Sequence, residues 1–202
     1  MVRRNDLIDT NPAAGIRPPT KYVPRDRVLS DAELAAMWRA ADKVSGRVGA
    51  FVKLLILTGC RKSEIGALEW AEITTDAIEL AAERTKTGVR HSVPLTPLMR
   101  AIIEAQPNGG RYVFGPIPSG GPWAKRKIDV YLNGADIAPW TLHDLRRSFV
   151  TGLARLGVAP HVIERCVNHK LGGIAGIYQR HDFAVEVREA FELWSRHVAS
   201  LC

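Results

Sequence analysis

No apolar run in the 202 residues is long enough to cross a bilayer. The first 27 residues, MVRRNDLIDTNPAAGIRPPTKYVPRDR, carry basic side chains but no apolar centre, so they resemble neither a secretory signal nor a membrane anchor. Cytoplasm is the expected compartment. Cysteine is scarce as well: Cys60, Cys166 and Cys202 are odd in number and far apart, which argues against a disulfide framework and for reduced thiols. Internal repeats and low-complexity segments are absent, which excludes a solenoid or a fibrous chain.

What remains is an ordinary globular composition, 46% hydrophobic, sufficient for one core. The net charge is +7, and the basic residues are spread through the expected folded part instead of being collected in a tail. That distribution suits a surface that holds a polyanion, although basic charge alone does not establish one.

Residues 1–28 are rich in Pro, Gly and charge, with Asn11-Pro12 and Pro18-Pro19 as breaks, and are expected to be a linker. Ser30-Asp-Ala-Glu33 fits a capping box that opens a helix to about Ala41. Val48 to Leu57, VGAFVKLLIL, is apolar nearly all round, which predicts a buried central helix ended by Gly59 in a left-handed cap. Another helix is expected from Arg61 to about Glu69. Ala77–Leu80, Glu83–Lys86 and Arg90–Val93 read as a small three-stranded antiparallel sheet with Thr87-Gly88 as a turn. Further helices are expected from Pro97 to about Ala105, Pro122 to about Leu132, Leu142 to about Leu156 before Gly157, and Pro160 to about Asn168, with Arg111–Phe114 extended. The stripe Phe183, Val187, Ala190, Phe191, Trp194 and Val198 marks a last helix, packed on its own domain or on a neighbouring copy.

Polar residues stand at notable points in this frame. His143 and Arg146 are three apart beside the apolar positions Leu142, Leu145 and Phe149, so both donors point to one side. A lone His-x-x-Arg is ordinarily a solvated helix edge. Arg61 follows the buried helix where free amides of the next one suit an anion. Glu64, one turn on, is placed to pair with Arg61 or to orient an imidazole. Lys86 sits at a hairpin tip, and Tyr178 ends a glycine-containing segment able to present a phenol.

Thr58-Gly-Cys-Arg-Lys-Ser-Glu-Ile65, Lys86 in a hairpin, His143-Asp-Leu-Arg146, Asn168-His169 and Tyr178-Gln-Arg-His181 resemble, in order and interval, the motifs of the tyrosine recombinases, or phage integrases. WTLHDLRR and NHKLGG are most similar to the integrases of satellite phages and genomic islands. The resemblance runs from about Leu29 to the C-terminus. It implies an α+β, mainly α-helical catalytic core, like that of the type IB topoisomerases, over residues 29–202, without the N-terminal core-binding domain usual in the family. Glycine is common in the family where Asn168 stands, and leucine where Cys166 stands.

The implied activity is site-specific exchange of DNA strands through a 3′-phosphotyrosyl intermediate, with neither metal nor nucleotide cofactor. Arg61, Arg146 and His169 would hold the phosphate, His143 would accept the Tyr178 proton, Lys86 would protonate the leaving 5′-oxygen, and Glu64 would support the site. Lys53, Lys62, Arg84, Arg90, Lys125, Arg126 and Lys127 are candidate contacts to double-stranded DNA. Asp144 and Arg147 are assigned to structure or to DNA backbone. The full-length form is expected to act as a tetramer on DNA, and the present residues alone as a monomer with weak, salt-sensitive binding. Three alternatives stay open: a DNA-binding regulator without catalysis, topoisomerase-like relaxation, and a metal site at His161, Cys166 and His169.

Overall fold

The central helix is the frame on which the other elements are assembled. In the computed structural model, which describes residues 15, 25–44, 46–115, 122–132, 135–169 and 183–202, α2 spans Arg47–Thr58 and buries Val48, Phe51, Val52 and every residue from Leu54 to Thr58. A helix with no polar face is stable only when neighbours cover it on all sides. Here α1 (Asp31–Lys43), α4 (Pro97–Glu104), α5 (Pro122–Tyr131), α6 (Leu142–Arg155) and α8 (Ala184–Ser200) do so. Among the described residues the remaining α-helices are the short α3 (Lys62–Gly66) and α7 (Pro160–Cys166).

Local signals in the sequence set most of the boundaries. Ser30 and Glu33 form the capping box of α1, with Ser30 N–H donating to Glu33 Oε2 at 2.8 Å. Gly59 closes α2 at φ +59°, where its N–H donates to Leu55 O at 3.1 Å. This glycine also has a packing role: a Cβ there would lie 2.4 Å from Phe149 Cδ1 of α6. The α2–α3 turn therefore lies directly on α6.

Two expectations need correction. Among the described residues the sheet has two strands: β1 (Ala77–Leu80) pairs antiparallel with β2 (His91–Pro94), Ile78 opposite Val93. The expected middle strand is replaced by a 3-10 turn over Ala82–Arg84, because Arg84 is drawn inward to Glu72 and to the carbonyls of Glu64 and Ala67. α3 also stops at Gly66, short of Glu69, since Leu68 O and the Trp70 N–H are taken by the Arg111–Val113 segment.

The C-terminal stripe packs on its own domain. Val187, Ala190, Phe191, Trp194 and Val198 are buried, and Trp194 Nε1 donates to Ile56 O of α2 at 2.8 Å. Phe149 stands between them, 5.5 Å from the Phe191 ring and 5.7 Å from Trp194, the latter edge-on. Gly152 of α6 makes room for this: a Cβ there would lie 2.2 Å from Trp194 Cζ3. Among the described residues, no helix is long and apolar enough to cross a membrane.

Gly152→Ala is expected to destabilise the protein by about 1–3 kcal/mol, the usual cost of overpacking a closed core. Chemical denaturation should give that loss, and an unchanged midpoint would show that α8 is not locked against α6.

Candidate functional site

α6 carries the best-defined part of the site because its first two turns are held from several directions. Asp144, fully buried, accepts at Oδ2 from the Thr141 N–H at 2.7 Å and from Arg25 Nε at 2.9 Å, and at Oδ1 from Arg147 Nη1 at 2.8 Å. Thus Asp144 caps α6, ties the segment before α1 to it, and occupies Arg147. The signal for this was present as Thr141-x-x-Asp144, a capping spacing. Leu29 N–H donates to Ser148 Oγ at 2.8 Å and adds a second tie to the same helix.

On this anchored helix Arg146 points into the protein. It is 4% exposed, and its guanidinium donates through Nη1 to Gly59 O at 2.7 Å and through Nη2 to Val167 O at 2.5 Å. Those carbonyls belong to the α2–α3 turn and to the end of α7, so one side chain aligns three segments. Two of its five donors are used in this way. Burial and then the charge of Arg61 lower the Arg146 pKa, as expected for two neighbouring cations.

Arg61, whose side chain is 17% exposed, is oriented by Glu64. The buried carboxylate accepts from the Arg61 backbone N–H at 2.7 Å and from Nη1 at 2.8 Å, a fixed two-point hold. A cavity of about 470 Å³ opens in front of this arginine, walled by Cys60, Arg61, Lys62, Ser63, Lys86, Lys125, Thr141, Leu142 and His143. The wall contains four basic residues, a histidine and no carboxylate. Such a space attracts an anion with several acceptor oxygens.

His143 lies in the first turn of α6. Partial burial, then the Arg147 and Arg146 guanidiniums, hold its pKa below the usual imidazole range. At neutral pH the ring is therefore a free base able to accept a proton. Lys86 is exposed at the cavity edge on the loop between the strands, and that loop is pinned: Thr85 Oγ1 donates to Val89 O at 2.8 Å, and Asn168 Nδ2 donates to the same oxygen at 3.0 Å.

Asn168 adopts φ +49°, the left-handed region that glycine and asparagine tolerate best, which accounts physically for an exchange between those two residues here. His169 follows, exposed, with Nδ1 2.6 Å from Glu164 Oε2. It is not part of the cavity wall; its backbone stands two residues beyond the carbonyl that holds Arg146. Tyr178 lies outside the described residues.

The expected DNA contacts fall into separate groups. Lys62 and Lys125 face the cavity, Lys125 with its ammonium 5.0 Å from the Trp140 ring. Arg126 is exposed on α5, and Lys127 stands 4.9 Å from the Trp123 ring. Arg90 pairs with Glu79 across the hairpin. Arg84 and Lys53 are taken up by partners within the protein instead: Arg84 joins Glu72 to the end of α3, and the half-buried Lys53 pairs with the exposed Asp42 and lies 4.6 Å from the Trp38 ring. The metal alternative also fails among the described residues. The His161 ring contacts Phe183, His169 contacts Glu164, and the group with metal-ligand spacing is a different one, Cys60, Glu64 and His91.

Comparison with known proteins agrees with this frame. The family model of the phage integrase family matches residues 27–184, and the chain belongs to that family. It is similar to the prophage integrase IntF of Escherichia coli (strain K12), 24% identical over 198 residues that make up 91% of this chain and 42% of the relative. It thus spans about half the length of the curated relatives it matches. The integrase of mycobacterium phage Brujita has a similar structure, with a TM-score of 0.64 at 20% identity, over 96% of this chain and 69% of that one. So does a lambda integrase tetramer bound to a Holliday junction, with a TM-score of 0.63 at 22% identity over 83% and 55%. At such identities the structural likeness concerns the fold.

Sequence reasoning passed over His91. It begins β2, is 4% exposed, and burial pushes its pKa down to about 4. Because the folded value lies below the unfolded one of about 6.5, the neutral ring contributes stability in full above pH 6.5, and that contribution is lost as pH falls toward 4. The loss is on the order of 3 kcal/mol. His91→Gln should therefore flatten the fall in denaturation midpoint between pH 7 and 4.5. Parallel curves for the two proteins would contradict a buried neutral His91.

Proposed function

We propose that this chain supplies the catalytic part of a site-specific recombinase that breaks and rejoins DNA strands. The observation that carries the reading is the cavity wall of four basic residues and no carboxylate, one of them Arg61 fixed by the buried Glu64, with the buried Arg146 close enough to Arg61 for their charges to interact. A phosphodiester becomes more negative as it is attacked, and fixed guanidiniums stabilise that charge where no metal serves. Membership of the phage integrase family, and the likeness to a lambda integrase bound to a Holliday junction, support DNA as the substrate and a tetramer as the working assembly.

In this reading the Tyr178 oxygen attacks phosphorus, its proton passes to His143, and the bond to the 5′-oxygen breaks as Lys86 protonates that oxygen. The product is a 3′-phosphotyrosyl bond and a free 5′-hydroxyl, and attack by a partner strand's 5′-hydroxyl reverses the step. Arg61, Arg146 and His169 hold the non-bridging oxygens, and Glu64 positions Arg61. Lys62, Lys125, Arg126 and Lys127 fix the duplex without reading its sequence. The work is carried out where the chromosome is, in the cytoplasm.

A nicked suicide substrate, which lets the 5′ fragment diffuse away, tests the proposal by trapping the covalent adduct. Tyr178→Phe should abolish the adduct, and Arg146→Lys or Arg61→Lys should slow its formation by about 10²–10³-fold, in the range of losing an oxyanion-hole donor. If DNA binds and the wild-type protein still forms no adduct, the protein is a DNA-binding regulator on this fold. Relaxation of supercoils without strand exchange would instead mark a topoisomerase.

A further inference from the structure

At the cavity wall and behind it lies a group of three side chains, of which strand exchange uses only Glu64. Cys60 comes from the turn after α2, Glu64 from α3 and His91 from the start of β2, yet one ligand atom of each lies within 4.8 Å of the others. The three residues are 3%, 1% and 4% exposed. His91 Nε2 is 3.1 Å from Cys166 O, so that nitrogen carries the proton and donates. The lone pair is therefore on Nδ1, which is buried without a hydrogen-bond partner. An orphaned buried acceptor is uncommon, and one beside a thiol and a carboxylate has the chemistry of a metal ligand.

We propose that Cys60, Glu64 and His91 bind one thiophilic divalent cation of the Zn2+ or Cd2+ type, and that its binding opposes phosphate binding in the cavity. Sulfur, imidazole nitrogen and carboxylate oxygen are zinc's usual donors, and magnesium or calcium would not choose this set. Bond lengths of about 2.0–2.3 Å place the ligand atoms of a tetrahedral site about 3.3–3.8 Å apart, so shifts of roughly 1 Å complete it. Cys60 is itself part of the cavity wall, which gives the ion an entrance and a water for its fourth position.

Antagonism follows from Glu64. Its carboxylate holds the Arg61 amide and guanidinium, and an ion drawing on the same oxygens loosens that hold. The ion must also displace a proton from Cys60, whose thiol burial pushes up to about 12, and sit near Arg61 and Arg146. Its affinity therefore falls below that of a dedicated structural zinc site, which suits a reversible inhibitor.

Cadmium titration followed by the ultraviolet thiolate-to-metal charge-transfer band tests the site directly, whether or not the chain recombines DNA. One Cd2+ per chain is expected. The band should persist in Cys202→Ser, which removes the exposed thiol, vanish in Cys60→Ser, and require at least tenfold more metal in His91→Gln. That glutamine can still donate to Cys166 O, and matching thermal midpoints of the metal-free proteins establish that each variant folds. In adduct formation, Zn2+ should inhibit the wild type at least tenfold more strongly than His91→Gln, with recovery on chelation. A band that survives Cys60→Ser, disappears in Cys202→Ser or never forms would overturn the proposal, as would equal zinc inhibition of wild type and His91→Gln.

Discussion

The guanidinium of Arg146, held between Gly59 O and Val167 O, is the contact on which the site depends. An arginine can be buried only if its donors meet acceptors, and these two carbonyls lie in segments far apart in the chain. Their positions place Arg61 on one side, two residues from the left-handed Gly59, and Asn168-His169 on the other. Phe149, one turn along α6 from Arg146, fills the space that Gly59 leaves by having no side chain. Polar and apolar contacts thus fix the same turn from the same helix.

Charge is arranged around this clamp in layers. Glu64 and Asp144 are buried carboxylates, and each orients basic groups without facing the cavity: Glu64 serves Arg61, and Asp144 serves Arg25 and Arg147. The cavity side is left with cations and a neutral imidazole. Interior carboxylates fix the geometry, and the excess positive charge points outward to where an anion enters. The same economy explains why Arg84, basic and close by in sequence, has no role at the cavity surface: Glu72 and two carbonyls absorb it.

Much of this was legible from residue order. The capping box at Ser30, the apolar α2, the glycine stop at Gly59 and the stripe of α8 each act over a few residues, so local chemistry sets them. The expected middle strand failed for the opposite reason. Glu83–Lys86 has no apolar alternation to hold it in a sheet, and a long-range ion pair to Glu72 decided its shape. His91 was overlooked because a histidine in a short strand gives no sign of what will cover it.

The sequence by itself determined the family and most of the helices, because motif order and short-range periodicity are properties of the chain. Only the tertiary structure decided which basic residues face the cavity and which are spent inside. It also decided that Asp144 is a buried tie, and that Cys60, Glu64 and His91 meet. Burial and pairing across long separations depend on how the helices stack around α2, and no local spacing encodes that.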